Sequence, residues 1–148
     1  MRFDSAYFKY WFDGIVGTSE FIASPDAFRR AWLQRDTGIT SIHYYDELIE
    51  QLLGDLRLEE NAVRFSDVLK GLDVLDAVSA FTDAVLSVNQ AVKQNTELQN
   101  QETLLASREW AKLQQAAMRV IESPAARAYR TGRSDIDIPG ESGAQQNP

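Results

Sequence analysis

Eight apolar residues constrain this chain more than any other feature. Val68, Leu72, Leu75, Val78, Phe81, Val85, Val88 and Val92 recur at steps of three and four. That spacing returns each side chain to one face of an α-helix, whereas a half-buried strand would need strict alternation. The stripe predicts one long helix opening at Ser66, widened by Leu69, Ala77, Ala84 and Leu86 and central to the core. Lys70, Asp73, Asp76 and Asp83 interrupt the same stretch, so it does not read as a membrane span.

A second helical run follows, carrying Leu98, Leu105, Trp110, Leu113, Ala117, Val120 and Ile121. Asn89, Gln90, Gln94, Asn95, Gln99, Asn100 and Gln101 cluster around the junction of the two runs. Thr96 and Gln99 have the spacing of a capping box, which places a turn near residues 94–96. The two runs are then expected to form an antiparallel hairpin. Without the turn they would make one rod of about 55 residues, near 80 Å at about 1.5 Å per residue. Such a rod would need a second chain to cover its stripe.

The N-terminal third must supply rings to that hairpin, since eleven of the fifteen aromatic residues lie within residues 1–45. Asp4 caps an expected short helix over residues 5–12, with Gly14 as its exit. A small aromatic-rich sheet is the alternative here, because aromatic residues also favour strands. Ser24, Pro25 and Asp26 then supply a cap, a first-turn proline and an early acid. The helix they open would carry Phe28, Ala31, Trp32 and Arg35 on one face and stop before Gly38. A third helix is expected from Thr40 or Ser41, with Tyr45, Leu48, Ile49, Leu52, Leu53 and Leu56 as its apolar side. Residues 57–65 fit either a short extended piece or a further helical turn. Ser123 and Pro124 restart a last short helix through Tyr129. The expected fold is therefore all-α: a helical domain over residues 1–130, with five or six helices around a central hairpin. Residues 131–148, polar and rich in glycine, are expected to be a disordered tail.

Composition narrows the chemistry. The chain has no cysteine, which excludes thiol catalysis, thiolate zinc sites and iron–sulfur clusters. Its net charge of −7 opposes nucleic-acid phosphates, so no nucleic-acid partner is expected. Met1-Arg2-Phe3-Asp4 lacks the basic start and apolar run of a secretion signal, and the cytoplasm is the expected compartment. There is no G-x-S-x-G elbow and no glycine-rich phosphate loop, since Gly14 and Gly17 stand without a third glycine or a lysine. No catalytic residue and no cofactor is assigned.

Two constellations could carry metal or acid–base chemistry. His43, Glu47 and Glu50 would share a helix face and could ligate a metal. A di-iron bundle needs two Glu-x-x-His pairs, which one histidine cannot supply. Asp73, Asp76 and Asp83 form a row on the long helix, for which the polar side of an amphipathic helix is the simpler account. Solvated helix faces are the simpler account for both, and no metal site is assigned. Arg29, Arg30 and Arg35 make a basic patch too small for a nucleic-acid groove and are expected to pair with the acidic helix.

The most directional feature is charge between residues 41 and 60. Asp46, Glu47, Glu50, Asp55, Glu59 and Glu60 face only Arg57 in that stretch. The apolar side of the segment is needed for the core, so its outer side presents carboxylates beside Tyr44. Carboxylates around an aromatic anchor suit a basic protein surface. Tyr44, Asp46, Glu47, Glu50 and Asp55 are the expected partner-binding residues. The expected function is a non-catalytic module that neutralises or escorts a protein partner. Toxin-immunity proteins and secretion chaperones share this small, acidic profile, an analogy of composition and not of motif. Self-association is compatible with the same profile. The alternative is a small helical metal-binding protein or enzyme using His43 and the helix carboxylates.

Overall fold

Asp4 opens the first helix as expected, its Oδ1 accepting a hydrogen bond from Tyr7 N at 3.0 Å in a computed structural model of the chain. The structure describes residues 4–36, 38 and 42–130, the last two by backbone alone. The expected tail, residues 131–148, lies outside them, as do Thr40 and Ser41. Among the described residues there are eight α-helices and no strand. The class is all-α, and among the described residues the aromatic sheet is not found: Tyr7, Phe8, Tyr10, Trp11 and Phe12 belong to the first helix.

Helix α1 spans Ser5–Ala23, well past the expected exit at Gly14. Phe8, Trp11, Phe12, Ile15 and Ile22 are fully buried along it and extend one apolar stripe through the glycines. Gly14 serves packing: a Cβ there would come within 2.9 Å of Leu56 Cδ2. The missing side chain lets Leu56 dock against the helix.

The chain then turns through Ser24, whose Oγ accepts from Ala27 N at 3.3 Å, into a short wide turn, Arg29–Leu33. This turn is π-helical, closed by Gln34 N donating to Arg29 O at 3.4 Å. The third segment is likewise split: α2, Tyr45–Ile49, runs into a π-helical stretch, Glu50–Asp55, with Leu56 N donating to Gln51 O at 2.8 Å. The wider turn keeps Leu48, Leu52 and Leu56, spaced by four, on the core side, where all three are buried. Residues 57–65 resolve as helix α3, Leu58–Arg64.

The long helix expected from Ser66 is two helices, α4 (Ser66–Gly71) and α5 (Leu75–Gln94). Asp73 takes a left-handed backbone, φ 58°, and Val74 N donates to Leu69 O at 2.9 Å to end α4. The apolar steps across this joint are still three and four, so the periodicity gives no sign of the break. The second run is also divided. A 3₁₀ turn, Thr96–Gln99, precedes α6 (Gln101–Leu105) and α7 (Arg108–Glu122). Asn95, Asn100 and Ser107 each accept a backbone N–H and cap the three pieces. Helix α8, Pro124–Arg130, follows Ser123 as expected.

The expected hairpin is present as α5 against α7, and α5 also packs on α3 and α4. Helix α7 packs on both α5 and α1. Trp110, Leu113, Ala116, Ala117 and Val120 are all buried along it. No helix among the described residues is long and apolar enough to cross a membrane.

Glycine at position 17 gives a clean check of this packing. It sits inside α1, and a Cβ there would meet nothing within 4 Å. Gly17→Ala should therefore stabilise the fold by roughly 0.5–1 kcal/mol, the helix-propensity difference. Urea unfolding measures it; a destabilised variant would mean that α1 does not continue past Phe12.

Candidate docking site around Tyr44

The site is assembled from three distant segments. Trp32, in the first π-helical turn, is buried against Phe28 and Trp110, with ring centroids 4.7 and 5.7 Å away. Its indole N–H donates to Ile42 O at 3.1 Å, which fixes the chain just before α2. Tyr45 then clamps the start of α2 twice. Its backbone N–H donates to Gln101 Oε1 at 2.9 Å, and its phenol donates to Asn89 Oδ1 at 3.2 Å. Burial pushes the Tyr45 phenol pKa well up, as expected for a ring held inside the fold.

Tyr44 has an extended backbone, φ −161° and ψ 169°. Extended residues send successive side chains to opposite sides, so with Tyr45 inward Tyr44 points out, at 49% exposure. Its ring borders two clefts. One, of about 480 Å³, is lined by Tyr44, Tyr45, Asp46, Val92, Lys93, Leu98, Gln99 and Gln101. The other, of about 330 Å³, is lined by Ala31, Trp32, Arg35, His43, Tyr44 and Gln101.

The five expected partner-binding residues fare differently. Asp46 lines the larger cleft, and Glu50 is exposed and near enough for its charge to act on Tyr44. Glu47 is partly occupied with structure: its Oε2 accepts the His43 backbone N–H at 3.4 Å, close to a capping-box geometry. Asp55 is exposed but lies at the far end of the π-helical stretch, about 15 Å along the axis by helical rise.

The metal constellation does not assemble. His43 precedes α2 instead of sharing its face. Asp73 sits at the joint between α4 and α5, with Asp76 and Asp83 on the exposed side of α5. Among the described residues no three His, Asp or Glu side chains converge as metal ligands. The arginine patch also departs from expectation, because Arg30 pairs locally with Asp36 at 2.9 Å and Arg35 turns to the smaller cleft. Lys93, Gln99, Gln101, Trp32 and Arg35 were not anticipated. The Asn/Gln-rich stretch was the one sequence signal for two of them, and it reads as a turn.

No family model, curated protein or solved structure matches the chain.

The Tyr44 phenol is raised above its ordinary value, first by the charge of Glu47 and its hydrogen bond, then by Asp46 and Glu50. An unfolded tyrosine ionises near pH 10. The stabilising contact with Glu47 is therefore intact below about pH 10 and is lost as pH rises through the higher folded value. Carbon NMR of the Tyr44 ring should show Glu47→Gln shifting this titration down towards the ordinary range. An unchanged titration would mean that Glu47 does not govern the ring.

Proposed function

We propose that this chain is a non-catalytic protein-binding module that docks a partner on the face around Tyr44. The observation that carries the reading is the half-exposed Tyr44 ring between two clefts, on a segment whose apolar side is already used. Leu48 and Leu52 are fully buried beneath it, so the core has no call on Tyr44. An aromatic ring held by its neighbours loses little freedom on binding, and clefts on either side give a partner's side chains somewhere to enter. Asp46 and Glu50 beside it favour a partner with basic residues at the contact and speed its approach. Neutralising or escorting a partner, in the manner of an immunity protein or a secretion chaperone, fits a face of this kind on a small acidic domain.

The test uses Asp46 and Glu50, because Glu47 has a structural hydrogen bond to lose. The partner recovered on the immobilised native chain would be titrated against Asp46→Lys/Glu50→Lys. Exposed reversals should change stability by no more than about 0.5 kcal/mol. Association should slow by about tenfold or more, with dissociation changed less, and the wild-type rate should fall as salt rises. Equal association rates for wild type and variant would refute docking on this face.

A further inference from the structure

The smaller cleft has a polarity of its own. Among the described residues its polar lining consists of Arg35, His43, Tyr44 and Gln101, with no carboxylate. The orientation of Gln101 is fixed, because Tyr45 N–H can only donate and so must meet Gln101 Oε1. The Gln101 amide NH₂ is left to donate, and it makes no hydrogen bond among the described residues. Arg35 makes no ion pair among them either, since the adjacent carboxylate of Asp36 is taken by Arg30. Glu47 raises the Tyr44 phenol pKa and is not among the described residues that line the cleft. Among the described residues, a guanidinium, an imidazole, a phenol and an amide line the cleft beside Trp32 and Ala31.

Arg35 also occupies a costly position. Its φ is 56°, in the left-handed region where glycine or asparagine is far more at ease. An exposed arginine held there, with no acid to pair with, places a cation at the cleft mouth at the expense of local backbone strain.

We infer that the cleft between Trp32, Arg35, His43 and Gln101 receives a carboxylate side chain, aspartate or glutamate, of the docked protein. This rests on the Tyr44 face being the docking surface, and it makes the partner's contact bipolar. Basic residues meet Asp46 and Glu50 on one side of Tyr44, and an acid enters on the other. Guanidinium and amide donors together match the two oxygens of a carboxylate. Trp32 in the lining excludes water from one side and strengthens that pairing.

The cleft can be tested without the partner. The probes are N-acetylglutamate amide and N-acetylglutamine amide, which share shape and differ in one carboxylate, with inorganic phosphate as a third. Amide and indole N–H NMR signals would be followed at constant ionic strength. The glutamate probe should give saturable shifts at Trp32 Nε1–H, His43 and Tyr44, with affinity at least tenfold above that of the glutamine probe. Arg35→Asn keeps a left-handed backbone accessible while removing the charge, so it should retain the melting temperature and abolish the saturation. The association rate of the partner with Asp46→Lys/Glu50→Lys, measured separately, reads the acidic docking face alone, so failure of the carboxylate cleft and failure of that face are distinguishable. Equal shifts with both amides, shifts surviving Arg35→Asn, or tighter binding of phosphate than of the glutamate probe would each overturn the inference.

Discussion

The contact of Trp32 with Phe28 and Trp110 holds the candidate site in place. These rings come from the connector after α1 and from the first turn of α7, and they stack or tilt at centroid distances of 4.7 to 6.0 Å. Aromatic pairs of this kind contribute about 0.5–1.5 kcal/mol each beyond their buried area. Trp110 can serve as an anchor because α7 is packed from both sides by α1 and α5. From Trp32 the hydrogen bond to Ile42 O positions the chain entering α2, and Gln101 fixes its first N–H. Tyr44 is exposed as a consequence of these constraints, being the residue between two anchored neighbours.

Much of the fold was legible because its signals are local. The stripe from Val68 to Val92 correctly marked helix, and the polar run around Asn95 correctly marked the reversal. The joints were less legible. Asp73 and Arg57 adopt left-handed backbones at helix boundaries, positions that glycine would ordinarily mark, while Gly71 and Gly54 lie two and three residues earlier. Gly14 gave a misleading signal, since its role is contact with Leu56 two elements away. The π-helical turns were invisible because apolar residues spaced by four suit an α-helix nearly as well.

The site was legible in part for a related reason. Charge density around Asp46 and Glu50 and the outward Tyr44 can be read from one stretch of sequence. The clefts cannot, because Lys93, Gln99 and Gln101 arrive from the hairpin turn and Trp32 and Arg35 from the earlier connector. Glu47 has a use that the charge pattern does not show: its carboxylate also accepts the His43 backbone N–H. A face built from three segments also ties function to stability. Loosening the packing of Trp32 on Phe28 and Trp110 would release the hydrogen bond to Ile42 O that holds the chain just before Tyr44.

The exposed apolar residues offer a direct comparison of surfaces. Tyr10 is 65% exposed on α1, Val63 76% on α3, Met118 40% on α7 and Tyr44 49% at the proposed face. A photo-crosslinking side chain placed at each of these positions in turn, in the native cell, reports which of them a partner covers. The account predicts one discrete cross-linked protein from position 44, and none of that protein from positions 10, 63 or 118. The same protein captured at position 10 or 63 and not at position 44 would contradict it.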